Sequence, residues 1–340
     1  MTSASAAATV VVVGSINMDL VAHAPRLPAP GETLIGEAFV GTPGGKGGNQ
    51  AVAASRLGAE VAIIGRIGMR QHGQDLINAL QAERVRTDAV RRDDRAWPGV
   101  AVIMVASEGG ENAIVVVPGS NADLDTGDVE QGGALLRQAK VVVAQLEVPV
   151  PAVQRAFEIA REAGVTTVLN AAPAQALPAA LLALSDWLIV NETEALQLAR
   201  DVQLAGDACE LDIARATAKQ LRALGPRHVL VTIGGAGAWL LCDAHPEGLH
   251  LVAPRVEAVD TVGAGDTLVG GLAVGLAEGL VPARAVALGQ SAAALSVSRS
   301  GVQQAMPHRS ELPDLPELHA LLAQAEQAAQ AAQAAAAGKA

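Results

Sequence analysis

Aromatic residues are nearly missing from this chain. Its 340 residues include no tyrosine, and the rings are Phe39, Phe157, Trp97, Trp187 and Trp239. The core must therefore be built from Val, Leu, Ile and Ala, and any surface that stacks a base has few rings to use. Cysteine is equally scarce: Cys209 and Cys242 cannot form a disulfide framework, which fits a reducing, cytoplasmic setting. Lysine occurs at positions 46, 140, 219 and 339 alone, and the net charge is −11. No Arg/Lys block provides a footprint for nucleic acid or an anionic membrane, so neither is expected as a partner. No apolar run nears the roughly 18 residues that cross a bilayer, and the opening MTSASAAAT lacks the basic region of a signal peptide.

What is present is an alternation of short β-branched runs with Ala/Leu-rich helical patterns. Strands are expected at 9–13, 61–64, 141–145, 165–170, 187–190, 228–233, 238–242 and 249–253, and helices at 47–57, 74–83, 125–139, 151–163, 192–199, 213–224, 267–278 and 282–297. That rhythm predicts a doubly wound α/β fold, a mostly parallel sheet with helices on both faces. Two excursions break it. Residues 15–45 carry two stretches of rough alternation around Pro25, Pro28 and Pro30, and strands at 99–106 and 112–117 flank a turn at Glu108-Gly109-Gly110-Glu111. The two excursions are expected to pair as one small separate sheet. Ligands of such folds bind beyond the carboxyl ends of the strands, where Gly14, Glu147, Asn170, Asn191 and Gly234 fall. The Ala/Gln-rich tail after Pro316 carries no visible chemistry.

The stretch DTVGAGDTLVGG, Asp260 to Gly271, lies where a strand turns into a helix. The first N–H groups of a helix lack internal partners and carry the positive end of its dipole, and Gly263 and Gly265 leave them unobstructed, so the stretch reads as an anion site. Asp266 is either a general base that takes a proton from a hydroxyl attacking a phosphate, or simply a helix N-cap. A second cluster, GTPGGKGGNQ (Gly41 to Gln50), also enters a helix. It fails the nucleotide-triphosphate loop pattern, since Gly47 rather than Ser or Thr follows Lys46, and no GxGxxG follows the first strand. Dense glycine with Lys46 and Asn49 suits the close approach of backbone and amide to a polyhydroxylated ligand. Asn17 and Asp19, two apart on a strand, share a face and could grip a diol. NETE (Asn191 to Glu194) reads as a helix cap or as a carboxylate organising hydrated Mg²⁺, and TIGGAG (Thr232 to Gly237) as a tight turn or a nucleotide contact.

Taken in order, GSINMDL, PGGKGGNQAVAASRLGA, the PGSN at Pro118 to Asn121, the QLE at Gln145 to Glu147, NAAPA, NETEA, VTIGGAG and VDTVGAGDT resemble the motifs of the ribokinase-like carbohydrate kinases, a family that includes adenosine kinase and fructokinase. The likeness covers about residues 10–310. It implies one kinase domain over 9–312, with a β-sheet lid from about 15–42 and 97–120, flexible tails at 1–8 and 325–340, and a homodimer formed through the lid. The implied reaction is transfer of the γ-phosphoryl of ATP to the 5-hydroxyl of D-ribose. Deoxyribose, fructose or a purine nucleoside is the alternative acceptor, and a non-catalytic sugar-binding regulator the alternative class.

Carried onto this sequence, the resemblance implies sugar contacts from Asn17, Asp19, Gly45, Lys46, Asn49 and Glu147, with Asp266 as base and Gly263, Ala264 and Gly265 as anion hole. ATP and Mg²⁺ would be met by Asn191, Glu194, Thr232, Gly234, Gly235, Gly237, Gly265 and Gln290, Glu194 acting on the magnesium through water. A monovalent cation, usually K⁺, would lie among Asp260, Val262, Ser296, Arg299 and Gly301. Two positions depart from the pattern: Ala305 stands where a serine hydroxyl often serves the cation loop, and Leu268 where phenylalanine follows GDT.

Overall fold

In a computed structural model describing residues 9–108, 111–199 and 209–312, the β-branched runs become strands buried on both sides. The chain runs β1 (Thr9–Val13), β2 (Asn17–Ala24), β3 (Ala38–Gly44), α1 (Lys46–Arg56), β4 (Glu60–Gly68), α2 (Gly73–Ala82), β5 (Val90–Asp93), β6 (Gly99–Ala106) and β7 (Asn112–Val117). It continues through α3 (Thr126–Gln131), α4 (Gly133–Gln138), β8 (Val141–Ala144), α5 (Val150–Glu162), β9 (Thr166–Asn170), α6 (Ala179–Leu184), β10 (Trp187–Asn191) and α7 (Glu192–Leu198). It closes with α8 (Glu210–Ala223), β11 (His228–Thr232), β12 (Ala238–Cys242), β13 (His245–Leu251), α9 (Ala264–Ala277) and α10 (Pro282–Val297). No described helix is long and apolar enough to cross a membrane.

The main sheet has nine strands in the order β13-β12-β11-β10-β9-β8-β1-β4-β5, parallel from β11 to β5, with β12 and β13 antiparallel at one edge. Alternate residues of β1 serve opposite faces, as the two-residue period of a strand requires. Val10 and Val12 join the apolar cluster of α1, α2, α9 and α10, whereas Val11 and Val13 join that of α3 to α8. Helices on both faces make the sheet doubly wound, the architecture the alternation predicts.

The two excursions form a separate four-stranded sheet, β3-β2-β6-β7. Each is a hairpin, and the hairpins join through parallel pairing of β2 with β6, Asn17 opposite Gly99.

Several elements differ from expectation. The helix foreseen across 125–139 is two, divided at Gly132, where a β-carbon would stand 2.5 Å from Ile64 Cδ1. The charged edge strand β5 and six-residue α6 were not foreseen, and β13 starts at His245, paired with Cys242 of β12 across an irregularity in the register, rather than at 249. The helix expected to start at Thr267 starts at Ala264, which changes the role of Asp266. The expected tails and the turn glycines Gly109 and Gly110 lie outside the described residues.

Candidate active site

Gly263 is the N-cap of α9, with φ of 78° in the left-handed region. A side chain there would meet Val302 Cγ1 at 2.7 Å as well as strained backbone, which accounts for glycine. The Ala264 amide turns back to Thr261 O at 3.3 Å, but among the described residues nothing accepts from the amides of Gly265 and Asp266. Gly265 faces open space, with no atom within 4 Å of where its β-carbon would be. Bare donors at the positive end of a helix dipole, bordering a cavity, are competent to hold an anion.

Asp266 lies inside this first turn, so it is not the N-cap, and its side chain caps nothing. Its carboxylate is buried and accepts from Asn49 Nδ2 and Gln50 Nε2, each at 2.9 Å. Burial pushes its pKa upward, while Lys46, Asn49 and Gln50 pull the other way. The two glycine clusters, more than 200 positions apart in sequence, thus meet at one carboxylate.

The small sheet supplies a second group of polar side chains. Asn17 Oδ1 accepts from Asn121 Nδ2 at 2.6 Å, while Asn121 Oδ1 accepts from the Ile16 amide. Asn17 and Asp19 lie over neighbouring backbone: a β-carbon on Gly99 would stand 2.0 Å from Asn17 Oδ1, and one on Gly44 2.1 Å from Asp19 Oδ2. Burial first, then the charges of Glu147 and Asp266, raise the Asp19 pKa to about 7, and no hydrogen bond offsets them. Gly45 is the N-cap of α1 at φ 82°, its α-carbon turned against the Asn17 amide. Glu147 Oε2 accepts from Ser15 Oγ at 2.6 Å and from the Lys46 amide at 2.9 Å. Burial works against the Lys46 charge, but Asp266, Glu147 and Glu194 outweigh it and hold its pKa above the usual lysine value. Asn49 is engaged at both ends, its Oδ1 accepting from Gln303 at 3.0 Å.

Two hollows adjoin the start of α9 and share Thr232 and Gly265. The smaller, about 210 Å³, reaches from Lys46 and Asp266 to Asn191 and Glu194. The larger, about 570 Å³, is bordered by Gly234, Gly235 and Gly237, with an apolar wall that includes Val256, Leu268, Ala294 and Val297. Polar atoms at the helix mouth and an apolar slot beyond suit a nucleotide's phosphates and base. Asn191 and Glu194 form a reciprocal capping box on α7, so the helix-cap reading of NETE holds, yet both also line the smaller hollow. Burial first, then Asp266, raises the Glu194 pKa, with the Asn191 amide and Lys46 opposing. Gln290 lines the larger hollow, but its Nε2 is spent on Leu251 O at 2.9 Å.

Asp260 joins two loops: Oδ1 accepts from the Val262 amide at 3.0 Å and Oδ2 from the Gly301 amide at 3.2 Å. Ser296, in the last turn of α10, and Arg299, just beyond it, are linked by a bond from the Arg299 amide to Ser296 O. Both Asp260 oxygens are thus held by backbone N–H groups, and the carboxylate is the hard oxygen donor that a monovalent cation would require here. Among the described residues no three metal-ligating side chains converge, so a Mg²⁺ here would rely on Glu194, water and the nucleotide's own phosphates.

Residues 7–309 match the family described as pfkB family carbohydrate kinase. The chain belongs to the pfkB family of carbohydrate kinases. It is 38% identical over 303 residues to the ribokinase of Haemophilus influenzae, covering 89% of this chain and 96% of that protein. It is also 38% identical over 314 residues to the ribokinase of Mus musculus, at 90% and 94% coverage. A structure of Arabidopsis thaliana ribokinase complexed with ribose and ATP superposes with a TM-score of 0.80 at 31% identity, covering 93% of this chain and 99% of that one. This pfkB kinase is accordingly an ATP-dependent sugar kinase, a transferase.

Some residues of the candidate site were not singled out from sequence. Gln50, Gln303, Asn121 and Ser15 all bond to expected site residues. Their signal was adjacency to a motif: Gln50 ends the second glycine cluster, Ser15 and Asn121 lie in GSINMDL and PGSN, and Gln303 had none.

Proposed function

We propose that this protein phosphorylates the 5-hydroxyl of D-ribose with ATP, and that Asp266 is the general base. The observation that carries the reading is the position of the Asp266 carboxylate: in the first turn of α9, beside free amides, and bonded to Asn49 of the other glycine cluster. The sugar fits between the small sheet and α1, where Asn17, Asp19, Lys46 and Glu147 offer hydroxyl partners. Asp266 takes the hydroxyl proton as that oxygen bonds to the γ-phosphorus, and the bond from phosphorus to the bridging oxygen breaks to leave ADP. The open amides of the Gly263–Asp266 turn hold the charge on the transferred group. Magnesium, when bound near Glu194, neutralises phosphate charge, and Thr232 to Gly237 with the apolar slot hold the nucleotide.

The small sheet is proposed as a lid that excludes water from the transfer, so that ATP is not hydrolysed. Its strands carry an apolar row in register, Val40, Val21, Ile103 and Ile114, of which Val40 and Ile114 are about half exposed. An exposed apolar row of this length fits a homodimer joined through the lid. K⁺ is the proposed activator beside Asp260.

A panel of ribose, deoxyribose, fructose and purine nucleosides, read by ADP release with K⁺, with Na⁺ and without either, tests the proposal. Highest kcat/KM for ribose with stimulation by K⁺ is the expected result. A preferred acceptor other than ribose overturns the substrate assignment, and a flat cation response overturns the Asp260 site.

A further inference from the structure

Asp266 is the meeting point of two chains of buried carboxamides. On one side Gln145 Nε2 donates to Gln50 Oε1 at 2.6 Å, and Gln50 Nε2 donates to Asp266 Oδ1 at 2.9 Å and to Asn170 Oδ1 at 3.0 Å. On the other, Gln303 Nε2 donates to Asn49 Oδ1 at 3.0 Å, and Asn49 Nδ2 donates to Asp266 Oδ2 at 2.9 Å. All four amides are buried, Gln145 completely.

A carboxamide donates at one end and accepts at the other, so its sense matters. Turning Gln50 around would set its oxygen against Asp266 Oδ1 and Asn170 Oδ1, and its amino group against that of Gln145. Turning Asn49 around would do the same between Asp266 and Gln303. The outer amide of each chain therefore fixes the sense of the inner one. The Oε1 of Gln145 is itself buried, with no donor to it among the described residues. That oxygen stands over Gly14, where a β-carbon would lie 2.1 Å away.

We propose that Gln145 and Gln303 are positioning residues for phosphoryl transfer: neither reaches the reacting atoms, but each locks the amide next to it so that both amino groups point at the two oxygens of Asp266. The inference rests on Asp266 being the base. Directed in this way, the amides keep the carboxylate ionised against its burial and fix which lone pairs remain for the sugar hydroxyl. The charged groups that act on Asp266 are Lys46 from α1, which assists, and Glu147 after β8, Asp19 on β2 and Glu194 on α7, which oppose. Both amide chains add to the single favourable cation.

The test compares wild type, Gln145→Met and Gln303→Met in pH profiles of kcat/KM for ribose, with Asp266→Asn run alongside. Methionine keeps the length of the side chain and removes the amide. The acid limb is expected to move up by about one pH unit in each variant. Below the midpoint this is a loss of about tenfold, while the high-pH plateau stays within about twofold of wild type and the KM for ATP is unchanged. The same loss at every pH, or an acid limb that does not move, overturns the proposal. Should Gln145→Met not fold, Gln303→Met on the opposite chain gives the same reading. If Asp266→Asn retains near-normal turnover it is the base assignment that fails, a result distinct from failure of the amide chains.

Discussion

Asn49, in the helix entered from the glycine cluster at Gly41 to Gln50, donates a 2.9 Å hydrogen bond to Asp266, in the helix entered from the cluster at Asp260 to Gly271. Two chain segments 217 residues apart are joined by it, and it sets the boundary between the polar recess under the small sheet and the hollow leading to Thr232 and Glu194. A sugar and a nucleotide placed on either side of that boundary would meet at the Asp266 carboxylate, which is what direct phosphoryl transfer requires.

Asp19 should report its burial in the stability curve. Its pKa of about 7 in the folded chain exceeds the ordinary 3.8, so the native state binds the proton more tightly and loses stability as pH rises between those values. Asp19→Asn removes the titration. Its melting temperature relative to wild type is expected to match at pH 4 and to rise by pH 8, with the shift from 3.8 to about 7 capping the gain at roughly 4 kcal/mol. Parallel melting curves at all pH values would mean that Asp19 is ionised at little cost.

Gly99 is a space reserved for Asn17. In Gly99→Ala the new methyl would stand 2.0 Å from Asn17 Oδ1 and 2.2 Å from Asn121 Nδ2, so the amide pair must shift. If Asn17 contacts the sugar as proposed, displacing its amide costs about 1–3 kcal/mol of binding, a rise in sugar KM of roughly tenfold or more, with the KM for ATP unchanged. Steady-state kinetics with each substrate varied in turn checks this; equal changes in both constants would point to a general distortion.

The apolar row across the small sheet predicts association. Ile114→Glu places a charge in the exposed row at its β7 end, and sedimentation velocity is expected to show a dimer for the wild type and a monomer for the variant. A wild-type monomer at micromolar concentration would remove the interface.

Much of this organisation is legible in the linear order of residues. Unbroken valine in β1 marks a strand covered on both sides, the two-residue spacing of Asn17 and Asp19 places them together, and both glycine clusters mark the entries to α1 and α9. The last glycine-entered helix starts three residues before the position its pattern predicts, since Ala264-Gly265-Asp266 offers little helical signal beside so much glycine, although Gly263 as N-cap explains it. The amide chains were not legible at all: Gln303 and Asn49 are 254 positions apart, and nothing in VQQA indicates that one glutamine turns to the core. Likewise β5, with Arg91 and Arg92 facing solvent at a sheet edge, lacks the apolar pattern by which strands are found.

The central claim is that Asp266 frees the sugar hydroxyl for attack, and rapid-quench measurement of the phosphoryl-transfer step in Asp266→Asn tests it most directly. General-base loss predicts a fall of about 10²–10⁴ in that step with ATP affinity and the folded state preserved. Transfer at close to the wild-type rate would contradict the account.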